Sequence, residues 1–443
     1  MGRFSWKKMN SFRIIILGFA GVILLGALLL ALPLSSREHC WTSFGDALFT
    51  STSAVCVTGL VVKDTSIYWS PFGRIIILAL IQIGGLGVVT IATFFTVLSG
   101  RRLSLLHRST LQDSISAHHM GGIVKMSGFV FKAAVLIEMA GALLMMPSFC
   151  GEYGASGIWL SVFHSISAFC NAGFDVMGSR TGAFSSLTHF QGDPGVVIPV
   201  VLLIVIGGIG FLTWDDLLTN RLHFKRYRMQ TKVILTTTFL LILVPMGIMF
   251  FEDFSSLPTK ERWFSALFQS VTPRTAGFNT VDLYSMTGTG HALMIILMLI
   301  GGSPGSTAGG MKTTTTAVLL ANSLSVFRRK KNAQMFGRRI EDNTVKSAST
   351  LLVMYLFLTF SGAFLISLAE KIPIKLCIFE TASAIGTVGL SLGITPDLGL
   401  FSQLILILLM FFGRVGGLTL IYAALSNKTS EISQCPVEKI MVG

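Results

Sequence analysis

The sequence predicts an all-α polytopic membrane protein in which four tandem helix–pore-helix–filter–helix units surround one pseudo-fourfold pore. Three observations lead there. The 443 residues are 52% hydrophobic and only 12% charged, with a mean hydropathy of +0.72, and several apolar runs approach the ~20 residues that cross a bilayer as helix. A nine-residue stretch recurs four times, as STSAVCVTG at 51–59, SISAFCNAG at 165–173, QSVTPRTAG at 269–277 and TASAIGTVG at 381–389, each followed by Leu or Phe. Basic loops alternate with these stretches, which puts all the loops on one face of the membrane, the positive-inside pattern. A formal net charge of +13 would suggest nucleic acid in a soluble chain. Here the basic residues sit in short loops between spans, so nucleic-acid binding has no support. Six cysteines lie scattered without CxxC spacing, which argues against a disulfide framework or a zinc site.

Unit 1 (1–108) opens on the basic MGRFSWKKMN and an apolar run at 12–34. The run is too long for a signal-peptide core, so it is predicted to span with a cytoplasmic N-terminus. A segment at 41–55 is too short to cross and ends on the first motif; a second span at 72–99 then returns to the basic GRRLSLLHR. The same order is predicted three more times. Unit 2 (109–228) has spans at 122–146 and 196–214 and closes on NRLHFKRYR. Unit 3 (229–339) has spans at 231–251 and 290–327 and closes on RRKKNAQMFGRR. Unit 4 (340–443) has spans at 344–368 and 400–425, then a short tail. Acidic residues, among them Asp64, Asp175, Asp193, Glu252, Asp253, Asp282 and Asp397, modestly favour the motif side, where they would draw cations toward a mouth.

Non-helical chain inside a bilayer is tolerated only where protein or a wet cavity surrounds it. Four re-entrant segments around an axis meet both conditions. Each half-length helix aims its partially negative C-terminal end at the centre, where a cation is stabilised. Beyond it, a short extended run can turn backbone carbonyls inward to replace a cation's hydration shell. The candidate carbonyls belong to Val57 and Thr58, Asn171 and Ala172, Thr275 and Ala276, and Thr387 and Val388. Their side chains differ among copies, as expected if the chemistry belongs to the backbone. Gly59, Gly173, Gly277 and Gly389 end the four runs, since such backbone angles commonly forbid a β-carbon. A single glycine in a membrane helix more often serves close packing. Four copies in register favour the filter.

A second constellation lies midway down each returning helix: IGGLG at 83–87, IGGIG at 206–210, IGGSPGSTAGGMKTTTT at 300–316 and FGRVGG at 412–417. For the first two copies, helix packing through small residues suffices. The third is dense in Gly, Ser and Thr and contains Pro304, so an unbroken helix there would lose hydrogen bonds and stability. A break at this depth places a flexible plug beneath the filter. Arg414 in the fourth copy sits at matching depth, where an unpaired guanidinium costs at least a few kcal/mol, and loop carbonyls are its natural partners. The expected gate comprises Gly301, Gly302, Ser303, Pro304, Gly305, Gly309, Gly310, Lys312 and Arg414.

Other features have plainer readings. GSTAGGMKT at 305–313 fails as a phosphate-binding loop because Met311 separates Gly310 from Lys312. His164, Cys170 and Asn171 could suggest a cysteine nucleophile, but all lie in a pore-helix and filter copy. Arg274 is expected to point behind the filter, toward Glu380. His118 and His119 lack matching ligands, and the basic run at 328–339 reads as a positive-inside anchor or a partner-binding surface. Glu138 is a membrane-depth carboxylate with no evident partner in the sequence, too little for an intramembrane enzyme.

These motifs resemble the potassium transporters of the Trk/Ktr/HKT superfamily over almost the entire chain. Trk-type subunits usually carry two more N-terminal helices, so the first span beginning near Phe12 points to the Ktr branch. The resemblance implies a homodimer with one pore per subunit, potassium bound by filter carbonyls, sodium-stimulated potassium uptake and no organic cofactor on this chain. It also implies regulation by a cytosolic ring of KtrA-like nucleotide-binding subunits. Plant members that favour sodium often have serine at the first filter glycine; Gly59 is retained here. The rival reading is a sodium-coupled carrier with alternating access. Inverted repeats would favour it, whereas the four units here run in the same direction.

Overall fold

The computed structural model describes residues 11–98, 105–114, 123–221 and 223–417, with 419 and 438. His118, His119, the basic segment 1–10 and most of the tail after 425 lie outside them. In chain order the helices are α1 (Ser11–Ala31), α2 (Phe44–Val55), α3 (Pro71–Leu86), α4 (Val88–Leu98), α5 (Leu105–Ser114), α6 (Ile123–Tyr153), α7 (Ser156–Phe169), α8 (Gly178–Thr181) and α9 (Pro194–Gly208). They continue with α10 (Phe211–Asn220), α11 (Met229–Phe251), α12 (Thr259–Val271), α13 (Gly288–Leu299), α14 (Thr313–Phe327), α15 (Asp342–Glu370), α16 (Ile374–Gly386) and α17 (Leu400–Val415). One two-stranded hairpin, β1 (Gln334–Met335) with β2 (Arg338–Arg339), departs from the all-helical expectation. It falls in the basic run between α14 and α15, where Ala333 and Ile340 bury themselves beside Ala321 and fold the loop back on the helix.

Among the described residues four helices, α1, α6, α11 and α15, are each long and apolar enough to cross a membrane. Each packs against the short helix that follows it: α2, α7, α12 or α16. Those four have only 12, 14, 13 and 13 residues, well short of the ~20 needed to cross. Their burial fits an interior position, for Phe49, Phe163, Phe268 and Phe379 have no exposed surface. The long spans carry the exposed apolar side chains instead, such as Leu28, Leu136, Phe239 and Phe357. The returning helices then close a ring. Helix α3 packs on α7, α9 on α12, α13 on α16, and α17 on α2, so the last unit meets the first.

The third returning span is interrupted as expected, between α13 and α14, but the first two are also not continuous, contrary to expectation. Helices α3 and α4 meet at 94°, and α9 and α10 at 95°. The break falls on Gly87 (φ 87°) and Gly210 (φ 94°), and α17 stops before Gly416 (φ 90°), a conformation open chiefly to glycine. In IGGLG and IGGIG the last glycine therefore breaks the helix, while an earlier one provides the expected packing. A β-carbon at Gly84 would lie 2.7 Å from the carbonyl carbon of Val55, at the end of α2. Gly207 and Gly413 stand in the same relation to Phe169 and Ile385, at the ends of α7 and α16. Gly84→Val should cost about 1–3 kcal/mol through overpacking, seen as a lower thermal midpoint in detergent. Gly21→Ala, where a β-carbon meets nothing within 4 Å, should leave that midpoint nearly unchanged.

Candidate functional site

The four motifs meet. A β-carbon at Gly59 would lie 2.6 Å from the Ala172 oxygen and 3.1 Å from Gly173 Cα; at Gly173 it would lie 2.7 Å from the Ala276 oxygen and 2.8 Å from Gly277 Cα. At Gly277 it would lie 3.4 Å from Gly389 Cα, and at Gly389 2.9 Å from Gly59 Cα. Each glycine thus touches the next, and the fourth closes on the first. Helices α2, α7, α12 and α16 end immediately before this ring and direct their partially negative ends toward it.

The backbone within each motif alternates in hand. Val57 (φ 57°) and Gly59 (φ 92°) take positive φ, as do Asn171 (56°) and Gly173 (67°), Thr275 (76°) and Gly277 (82°), and Thr387 (52°) and Gly389 (94°); the residue between each pair does not. In a strand, successive peptide groups alternate sides. Alternating handedness brings them to one side, so neighbouring carbonyls can face a common ion. Left-handed geometry at non-glycine residues costs on the order of 1–3 kcal/mol each, which surrounding bonds must offset. Sequence reasoning expected unusual angles only at the glycines.

Hydroxyl groups supply part of that restraint, and sequence reasoning missed them. Thr58 N donates to Ser53 O (2.8 Å) and Gly59 N to Ser53 Oγ (3.0 Å). Val388 N and Gly389 N bond Ser383 in the same way, at 2.8 and 3.0 Å. Ser167 and Thr272 instead donate their hydroxyls to Phe174 O (2.8 Å) and Phe278 O (2.6 Å). The available signal was a serine at the third motif position in three copies, moved one place to Thr272 in the copy that reads QSVT.

The ring separates two cavities. The outer one, about 230 Å³, is lined by the four glycines with Asp64, Asp175 and Asp282. The inner one, about 270 Å³, is lined by Gly85, Gly305, Gly310, Lys312 and Arg414, with Asp113. The two chambers therefore differ in the charge they present. Other acidic residues counted on the motif side do structural work: Asp193 caps α9 through Gly195 N (2.8 Å), and Asp253 accepts from Thr287 Oγ1 (2.7 Å).

Between α13 and α14 the chain crosses beneath the ring as an ordered loop. Gly301 N donates to Met311 O (2.8 Å) and Thr313 N to Gly302 O (3.0 Å), closing the loop on itself. Ser303 N reaches Gly208 O (2.9 Å), Phe211 N reaches Gly305 O (2.7 Å), and Gly310 N reaches Gly413 O (3.2 Å), which fastens it to α9, α10 and α17. Close approach excludes side chains here: a β-carbon at Gly309 would lie 3.0 Å from Thr387 Cβ, and one at Gly310 2.8 Å from the Gly386 oxygen. Arg414 donates to Thr307 O through Nη1 and to Gly84 O and Gly85 O through Nη2, the last at 3.0 Å. It joins the loop to the broken end of α3, a partner the sequence did not indicate. Lys312 Nζ turns back onto Ala308 O (2.9 Å).

Two pairings differ from expectation. Arg274 does not reach Glu380; its Nη2 lies 3.4 Å from Thr238 Oγ1 on α11. Glu380 accepts instead from Ser391 and from Thr395 Oγ1 (3.1 and 3.2 Å), hydroxyls close behind it in the chain. Glu138 has a partner after all, since Gln82 Nε2 donates to both its oxygens at 3.0 and 3.2 Å. The His164 ring is held by Leu160 O (2.8 Å) and stacks on Phe149.

Four re-entrant helices around a glycine ring, with chambers of opposing character above and below, define a polytopic membrane transport protein. The TrkH family, described as a cation transport protein, matches residues 8–433. The chain belongs to that family, and with it to the Trk/Ktr/HKT superfamily. It is 39% identical to the potassium/sodium uptake protein NtpJ of Enterococcus hirae, over 99% of this chain and 98% of that one. It is 36% identical to the Ktr system potassium uptake protein B of Bacillus subtilis, over 97% and 96%. The crystal structure of the potassium transporter TrkH from Vibrio parahaemolyticus shares the fold, with a TM-score of 0.76 at 19% identity over 97% of this chain and 87% of that one.

The vestibule has a titratable member. Burial pushes the partly covered Asp175 carboxyl up to about 7; the hydrogen bond from Met177 N opposes this, and the nearby Asp64 charge adds to it. A raised carboxyl is ionised above that pH and neutral below it. Cation transport at sub-saturating concentration should therefore decline as the pH on the Asp175 side falls through about 7. Asp175→Asn should remove that step from the rate–pH profile, and a profile unchanged by the substitution would refute the assignment.

Proposed function

We propose that this chain is the pore-forming subunit of a potassium uptake system in the cell membrane, with sodium as a stimulating ion. The closed ring of Gly59, Gly173, Gly277 and Gly389 carries this reading. Beside it, the carbonyls of Val57 and Thr58, Asn171 and Ala172, Thr275 and Ala276, and Thr387 and Val388 replace water around a dehydrated cation. Units 1–108, 109–228, 229–339 and 340–443 each contribute one wall. Potassium is favoured by the glycine at position 59 and by the names of the relatives, one of which includes sodium.

The loop from Gly301 to Lys312, held by Arg414, acts as the gate. Lys312 and Arg414 place positive charge where an ion leaving the filter would arrive, so the seated loop slows conduction and its displacement raises it. Homodimer formation and control by a KtrA-like nucleotide-binding ring follow from resemblance to the Ktr branch, and the basic loops orient the N-terminus to the cytoplasm.

Reconstituted protein tests both parts. Deleting 305–309 should raise potassium flux several-fold, and unchanged flux would remove the gate assignment. Gly59→Ser should lower potassium-over-sodium discrimination roughly tenfold, equivalent to about 1.4 kcal/mol of differential ion stabilisation. An unaltered permeability ratio would sink the filter reading.

A further inference from the structure

The plug does more than lie under the filter, because it is bonded into it. Thr307 Oγ1 donates to Phe169 O at 3.0 Å and accepts from Asn171 Nδ2 at 3.3 Å. Phe169 is the last residue of α7, and its carbonyl is one of those a helix leaves without an internal partner. Asn171 is the left-handed residue of the second filter strand. Its Oδ1 is buried without a hydrogen-bond partner, so its side chain is anchored through the Nδ2 contact. The Thr307 backbone is held as well, with N–H on Gly207 O (3.2 Å) and the carbonyl on Arg414. All three residues are fully buried.

The side chain at the same position of the fourth strand also meets the plug, since Thr387 lies over Gly309. A plug that moves away removes one donor and one acceptor from beneath the filter. Buried polar groups left unpaired are costly, and the strand that carries them relaxes to find others. Asn171 is the group best placed to do so, being already in a conformation that persists only under restraint.

Building on the filter reading above, we propose that Thr307 is a positioning residue for ion discrimination. Its hydroxyl, presented by the seated plug, holds Asn171 and the end of α7 in the geometry that selects the ion. One loop then sets both flux and selectivity, and current through the displaced plug is less discriminating than permeation past the seated one.

Thr307→Val keeps the shape and removes the hydroxyl; Thr307→Ser restores it. The potassium-to-sodium permeability ratio, read from reversal potentials in reconstituted membranes, is independent of how many pores are open. It should fall about fivefold in Thr307→Val, the factor one ordinary hydrogen bond represents, and recover in Thr307→Ser. A Val variant with altered flux and an unchanged ratio would overturn the proposal, leaving Thr307 as part of the plug alone. If the Val variant passes no current, the potassium and sodium concentrations that half-protect it from thermal unfolding give the same reading. Their ratio should shrink about fivefold if the proposal holds, and an unshifted ratio overturns it. Gly59→Ser in the same assay separates the two levels. If it lowers the ratio while Thr307→Val does not, this inference alone fails; if neither does, the filter reading fails with it.

Discussion

The structure depends on one steric constraint: four backbones come so close that a β-carbon at any of the four glycines would force its neighbour to shift. At each of the four glycines a side chain would strike the neighbouring motif, and at each the backbone also takes a positive φ. Either condition would favour glycine; together they leave little alternative. Around this ring the architecture follows in order. Short helices carry the chain to the axis, long spans shield them from lipid, and the returning helices tie each unit to the next until the last meets the first.

Such convergence has to be held against strain. Val57, Asn171, Thr275 and Thr387 adopt left-handed angles that side chains resist, and local hydroxyls bind the neighbouring peptide groups so that these angles persist. The bonds come from within the same nine-residue copy in each case, or from the residue just after it. Repetition of the motif therefore repeats a device that restrains its own backbone, together with the glycine at its end. The loop between α13 and α14 adds a restraint from another unit through Thr307, which ties the second motif to a segment distant in sequence.

Much of this was legible because it was repeated. Hydropathy and the four motifs pointed to the short helices, the long spans and the glycines at which they converge. Composition could not show the bends at Gly87 and Gly210, because glycine serves packing and breaking alike, and in IGGLG both uses occur three residues apart. Hydropathy is also blind to direction, so two helices at a right angle read as one span. Side-chain aim was the other gap. Arg274 and Glu380 looked complementary, yet Glu380 is satisfied by the hydroxyls of Ser391 and Thr395, and Arg274 lies near Thr238. Gln82 as partner to Glu138 was hidden for the same reason: a contact between two helices leaves no trace in local spacing.

The central claim is that peptide oxygens beside the glycine ring stand in for water around a dehydrated monovalent cation. Crystals soaked in rubidium or thallium salts, measured at the absorption edge of the ion, test it without reference to flux. The account predicts anomalous peaks on the axis between the two chambers, level with residues 57–59 and their three counterparts. Peaks confined to the acidic vestibule, with none within the ring, would contradict it.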